Sequence, residues 1–552
     1  MYPELPEPAD SAPTRSGIAE RLAQLVAVPT ISAESDRVGT AFEDFVSLLA
    51  DLYPLVHERL EFERIGELGL VYRWASGAAT AAPVVLMAHW DVVPVTGQES
   101  EWTHPPFAGV IADGFVHGRG TLDDKGALCV LLEAVENLLA EGFTPAREVW
   151  LCLGGDEETS GEGARRIAET LHGRGVRPWL VLDEGGAVSD LPLPGLSGWF
   201  AMVGLAEKGV MAVELSASAE GGHASAPTGL TAVGRIARAV ARLNRNPFRP
   251  RLPRTVAAMM LRLAEHASPG YARVYRAAAA APRLTARLLQ FAGHEAAAMA
   301  RTTVAPTMVA GGSAANVLPS EATAVVNVRV NIGETTAGVT GRLRRAIGDP
   351  AVQVRAVEAS EPSAESSPDT AQFALLARAV GAGYPGVPAI PYLVTGATDA
   401  RHWHRLGTNV YRFAPLSMDA AQRASIHGVD ERVAVDALVR GERCYRALLQ
   451  GLDGRDDAGV LPRDPGVPAE AVVPANAGIP VAGSGTRPPV IPGEGLGGDV
   501  LGGPGVLAEA VVPANAGIPV AGSGTRPPVI PADPGEAGDD NEGTPGGREP
   551  HV

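Results

Sequence analysis

Cysteine is nearly absent, with only Cys129, Cys152 and Cys444 in 552 residues, two of them inside apolar runs. They read as buried thiols of a reducing compartment, and no disulfide framework is available. Long apolar runs are missing too: no stretch reaches the roughly 18 residues that a spanning helix needs. The acidic, proline-rich start carries neither a basic segment nor an apolar core, so no export signal is expected. Positive charge is scarce, with 46 Lys and Arg against 63 Asp and Glu and a net charge of −17. That excess argues against non-specific binding to nucleic acid or to anionic membranes. A cytoplasmic protein is expected, and a hydrophobic content of 45% is ample for more than one core.

What is present is an alternation of short apolar runs with helical patterns. Pro83–Asp91, Glu148–Leu153 and Pro178–Leu182 are continuously apolar and each stops at polar residues, as buried central strands do. Helical patterns run from Ser16 to Leu25, Thr40 to Leu52, about Ala127 to Leu139 and Glu162 to Leu171. This predicts an α/β fold with a mainly parallel sheet and flanking helices. From about Ala201 the texture changes. Gly209–Ser218 and Ala322–Val330 alternate with period two, with helical patterns at Ala232–Leu243 and Gly338–Ile347. The expected organisation is an N-terminal extension (1–15) and a catalytic domain in two parts (16–200 and 368–452). An α+β domain (201–367), with extra helices at about 250–300, is inserted between them. The segment 453–552 is rich in Gly and Pro, and its stretch 469–492 recurs verbatim at 508–531. Such a composition has little to bury and predicts a disordered tail.

Polar residues gather at the ends of the apolar runs: His89, Asp91, Asp123, Glu157, Glu158 and Asp183, with His427 much later. Imidazole and carboxylate without thiolate suit a borderline divalent ion, zinc above all. Five ligands are too many for one open catalytic site and fit two ions if one carboxylate bridges. Asp123 is the natural bridge, leaving His89 with Asp183 and Glu158 with His427. Glu157 is then the spare carboxylate, a general base for the attacking water. Asp91 can return to the far nitrogen of His89 and fix its tautomer.

The series Ala88–Pro94, Gly118–Gly126, Asp156–Gly161, Asp183–Gly186, Gly222-His223 and Ile426–Gly428 closely resembles the dinuclear-zinc amidohydrolases and exopeptidases. That family includes glutamate carboxypeptidase, aminoacylase and acetylornithine deacetylase. The stretches Gly396–Trp403, Val410–Phe413 and Ile426–Arg432 look most like its carboxypeptidase S branch. The resemblance implies the same ligand assignment and a cis peptide between Asp123 and Asp124. It also implies that the inserted domain is a lid, often used for homodimerisation. His223 is then expected to stabilise the oxyanion, frequently in the partner subunit's site. Asn316 and Arg329 are expected to position substrate, with Arg329 gripping a carboxylate; Thr398 and Arg401 are further candidate contacts.

The expected activity is removal of a C-terminal residue from small peptides or N-acyl amino acids, with two Zn²⁺ as cofactors and Co²⁺ or Mn²⁺ as possible substitutes. The alternatives are a dipeptidase or N-acyl-amino-acid deacylase and, from another class, a non-catalytic metal-binding protein. Glu157 argues against the last, because a degenerate site would tolerate loss of its base.

Overall fold

The computed structural model describes residues 5–6, 15–33, 40–77, 81–159, 161–190, 193–227, 229–406 and 409–453. The expected N-terminal extension falls largely outside them, as does the tail from 454 onward with both repeat copies. Everything described belongs to the unit Met1–Arg463.

A ten-stranded sheet carries the site. Its order is Glu61–Ile65, Gly69–Trp74, Val149–Gly154, Val84–His89, Leu180–Asp183, Val410–Arg412, Trp199–Glu207, Val188–Asp190 and Ser417–Met418, with Ala389–Val394 paired to Trp199–Glu207. The four strands from Val149–Gly154 to Val410–Arg412 run parallel. Their apolar runs are continuous because each face meets its own core. Val84, Leu86 and Ala88 enter one cluster with Val149, Leu151 and Leu153. Val85 and Met87 enter another with Trp150, Cys152 and Val181. Pleating sends successive side chains to opposite faces, so neither face can be polar.

The helix Lys125–Ala140 starts two residues before the expected Ala127 and is buried along its length up to Leu139. Its polar positions are therefore matched in the interior. Glu136 accepts from the amides of Leu55 (3.1 Å) and Val56 (2.9 Å), and Asn137 donates to Glu442 at 2.8 Å. Lys125 Nζ donates to the carbonyls of Leu25 (3.0 Å) and Val28 (2.6 Å).

A second, four-stranded antiparallel sheet has the order Thr303–Gly311, Glu321–Val330, Gly209–Ser218 and Val352–Ala359. One face is covered by the helices Ala232–Leu243 and Thr336–Ile347, so Met211, Val213 and Leu215 pack with Val326, Val328 and Val330. The expected boundary at 201 is displaced. Trp199–Glu207 is a strand of the large sheet, buried on both faces, and the chain crosses to the small sheet at Lys208. The extra helices are displaced as well. Val256, Met259, Met260 and Leu263 of Arg254–His266 pack on Phe200, Met202, Ile390 and Leu393 of the large sheet, not on the inserted one.

Candidate active site

Parallel registry brings the polar strand ends to one edge of the large sheet. His89 pairs with Gly154, three residues before Glu157, and Asp183 pairs with Arg412. Asp123 arrives from the loop before the buried helix, and its peptide bond to Asp124 is cis. That loop is shaped by Gly118 and Gly120, both at positive φ; a Cβ on Gly118 would stand 2.4 Å from Val26, and one on Gly120 would stand 2.7 Å from Val92.

The Asp123 carboxylate lies between two imidazoles, with Oδ1 2.9 Å from His89 Nε2 and Oδ2 3.0 Å from His427 Nε2. His427 Nε2 is also 3.0 Å from Glu158 Oε1. His89, Asp123 and Glu158 each offer a ligand atom within 4.8 Å of the others. Asp183 is buried at its strand end, where Oδ2 accepts from the Ala400 amide at 2.7 Å. His427 has a φ of 59°, a left-handed conformation uncommon for a residue with a Cβ.

Asp91 holds three parts of the site at once. Its Oδ1 is 3.3 Å from His89 Nδ1, and its two oxygens accept from the amides of Glu157 and Glu158, each at 3.1 Å. The imidazole and the two glutamates are thus positioned by one buried carboxylate.

Charge is unbalanced in the way a cation site requires. Burial, then repulsion from Asp399, lifts Glu157 well above the usual carboxylate range, against the pull of His89 and Arg401. Burial likewise lifts Glu158, Asp183 and Glu184, with Asp123 adding to the effect at Glu158 and Glu184. The hydrogen bonds that His427 donates to Asp123 and Glu158 raise it to about 10. At His89 burial opposes the charge, but Asp123 and Asp91 outweigh it. Carboxylates this crowded bind protons in the absence of a cation and release them to one, so the donor set fits divalent metal.

The cleft over this cluster encloses about 720 Å³ and is lined by Asp123, Glu157, Glu158, Arg329, Thr398, Arg401 and His427 among others. Arg329 is half-buried on the uncovered face of its strand, opposite the packed Val326, Val328 and Val330, and donates to Asn327 Oδ1 at 3.2 Å. Arg401 Nη1 stands 3.8 Å from Glu157 Oε1. The Thr398 hydroxyl donates to buried Glu207 at 3.0 Å, so its bond is committed to the protein. His223 and Asn316 do not line the cleft. They meet each other at an exposed tip, where His223 pairs with Val317 and the Ala224 amide donates to the Asn316 carbonyl at 3.0 Å.

Two residues escaped the sequence reading. Glu184 lines the cleft, and its signal was adjacency to Asp183 at a strand end. Glu431, buried and four residues after His427 in the same Ile426–Glu431 segment, shapes the Asp123 loop. It accepts from Arg119 Nη1 (2.7 Å) and from the amides of Gly120 (3.1 Å), Leu122 (2.8 Å) and Asp123 (3.2 Å). Glu431→Ala leaves buried Arg119 unpaired and is expected to lower stability by about 3–5 kcal/mol. Urea unfolding checks this, the midpoint falling while the slope holds.

A model of the peptidase family M20/M25/M40 matches residues 85–451. The chain belongs to that family. This M20 protein is 35% identical over 440 residues to the probable carboxypeptidase S-like 2 of Dictyostelium discoideum, an overlap of 78% of this chain and 84% of that protein. It is 32% identical over 447 residues to the N-fatty-acyl-amino acid synthase/hydrolase PM20D1 of Homo sapiens, covering 80% and 88% respectively. Among solved structures, the M20 family metallo-carboxypeptidase Sso-CP2 of Sulfolobus solfataricus shares the fold, with a TM-score of 0.61 at 17% identity over 79% of this chain and 99% of that one. Membership makes the M20 chain a hydrolase that uses divalent metal.

Proposed function

We propose that this M20 hydrolase cleaves the amide bond of N-acyl amino acids that carry an apolar acyl chain and a free α-carboxylate. One observation carries the reading. A second cavity, of about 710 Å³, adjoins the polar cleft and shares Asp123, Glu184 and Gly185 with it. Beyond those residues its wall is largely apolar, including Leu193, Met202, Met259, Met299, Tyr392 and Met418. A site with a guanidinium on one side and an apolar cavity on the other suits a substrate with the same polarity. The relatives point the same way, as they include an N-fatty-acyl-amino acid hydrolase beside the carboxypeptidase S-like proteins.

In this reading His89, Asp123, Glu158, Asp183 and His427 would hold two zinc ions, His89 and Asp183 serving one, Glu158 and His427 the other, and Asp123 both. When bound, the ions would polarise the amide carbonyl and acidify water. Glu157 takes a proton from the attacking water as its oxygen adds to the carbonyl carbon. The C–N bond then breaks, and Glu157 passes that proton to the leaving amine. Asp91 keeps His89 and the Glu157–Glu158 backbone in place, and Arg329 forks onto the α-carboxylate.

Each methylene moved from water into the cavity contributes about 0.8 kcal/mol, so kcat/KM is expected to rise about fourfold per carbon until the cavity is full. Ala296→Phe, which fills the cavity from the helix His294–Met299, should shift the optimum to shorter chains. A panel of N-acyl amino acids of graded length, run beside dipeptides, decides. Rates independent of chain length, or higher on dipeptides, would favour the peptidase reading that the polar cleft alone allows.

His223 needs a separate account, because it lies outside the cleft of its own chain. Met308, Val309 and Val317, near its tip, are 65%, 64% and 48% exposed. We propose that a second copy covers this region, the 209–218 and 303–359 segments acting as a lid, and that His223 then reaches the partner subunit's site. Mixing inactive Asp123→Ala with inactive His223→Ala protein should restore about a quarter of the activity through hybrid dimers. No recovery on mixing, with subunit exchange verified, would place His223 outside the reaction.

A further inference from the structure

The helices that pack against the large sheet leave one outward face uncovered by any described residue. Leu284 and Leu288 are 56% and 59% exposed, and Phe291 is 89% exposed. They recur at i, i+4 and i+7 along Pro282–Leu288 and the 3₁₀ turn Leu289–Phe291, which makes a single stripe. The opposite face is buried through Thr285 and Ala286. Beside the apolar stripe runs a basic one, Arg283 and Arg287. These two line a cleft of about 1010 Å³ with Arg249, Arg251 and Arg342, and Glu334 is the one acidic residue in its wall. Glu334 is already engaged, 3.2 Å from Arg342. Among the described residues Arg249, Arg283 and Arg287 take part in no ion pair. In a chain of net charge −17, this is a local reversal of sign.

We propose that this face docks on an anionic lipid surface. The two stripes select the occupant between them. A soluble polyanion would engage the guanidiniums but leave Leu284, Leu288 and Phe291 in water. A second copy meeting the same face symmetrically would cover the apolar stripe but set arginine against arginine. An anionic lipid surface meets both demands, phosphate for the guanidinium forks and acyl chains for the apolar stripe. Ala292, Gly293, His294, Ala296 and Met299, which follow Phe291, line the apolar cavity that reaches Asp123. Docking would therefore set that cavity's flank at the lipid surface, where amphipathic molecules concentrate. The docking itself does not depend on which amide the enzyme cleaves.

The test is flotation of the full chain with vesicles of phosphatidylcholine alone and of phosphatidylcholine mixed with phosphatidylglycerol. Binding is expected to the mixed vesicles only and to weaken as salt rises. Arg283→Ala and Arg287→Ala should each lower the partition coefficient about fivefold. The pair Leu288→Ser with Phe291→Ser should abolish binding at any salt. All of these positions are exposed, so melting temperature and hydrolysis of a short, soluble substrate should stay at wild-type values. Absence of binding to the mixed vesicles, or equal binding by the variants, overturns the proposal. Saturable binding of inorganic triphosphate without vesicle binding would reassign the arginines to a soluble anion. A fall in oligomeric mass for the serine pair without vesicle binding would make the face an interface between copies.

Discussion

Glu157→Gln is expected to keep the full metal content and to lose about 10²- to 10⁴-fold in kcat, the range that general-base catalysis supplies. The amide has the shape of the acid but cannot accept a proton from water. The structure isolates the loss to the side chain, because the position of the residue is set by its backbone. The Glu157 amide is held by Asp91 Oδ1 at 3.1 Å, and that bond survives the substitution. Its neighbour Glu158 is held in the same way by Oδ2. In the metal-free cluster, burial and then Asp399 raise the proton affinity of Glu157. The checks are single-turnover kinetics and metal analysis by mass spectrometry on the same preparation. Near-wild-type turnover would remove Glu157 from the reaction, and parallel loss of metal would make it a ligand instead.

On the proposed two-ion reading, Asp123→Ala is expected to take away both metal equivalents together, and all measurable activity with them. Its two oxygens face different histidines, His89 at 2.9 Å and His427 at 3.0 Å, so no second carboxylate can stand in for it on both sides. Removing a ligand of only one ion would leave the other bound. The variant should also lose the stability that ligand binding confers, about 4 kcal/mol where free metal exceeds its Kd a thousandfold. Added zinc should then raise the melting temperature of the wild type but not of Asp123→Ala. One full equivalent of tightly held metal in the variant would defeat the bridging assignment.

Much of this site was legible in the chain. A strand buried on both faces has to be continuously apolar, so the first polar residues after it mark its end, and His89, the Glu157–Glu158 pair and Asp183 announced themselves in that way. Alternation over Glu321–Val330 separated Arg329 from the packed valines for a similarly local reason: a pleated strand has only two faces. Residue chemistry pointed to a borderline metal, since imidazole and carboxylate occur together without thiolate.

What the sequence could not decide was set by contacts between distant segments. The extra helices at 254–299 carry an apolar face, but periodicity does not say which sheet that face will cover. Only the tertiary structure placed it on the large sheet, where it closes one side of an apolar cavity beside Asp123. The hydroxyl of Thr398 looked available until folding brought Glu207, 191 residues away, to take it. Glu431 gave no local sign that it would grip the Asp123 loop 308 residues earlier in the chain. Local patterns determine which face of an element is apolar and which side chains can do chemistry. Which element meets which, and therefore which polar groups are left free to act, is settled by packing over the whole chain.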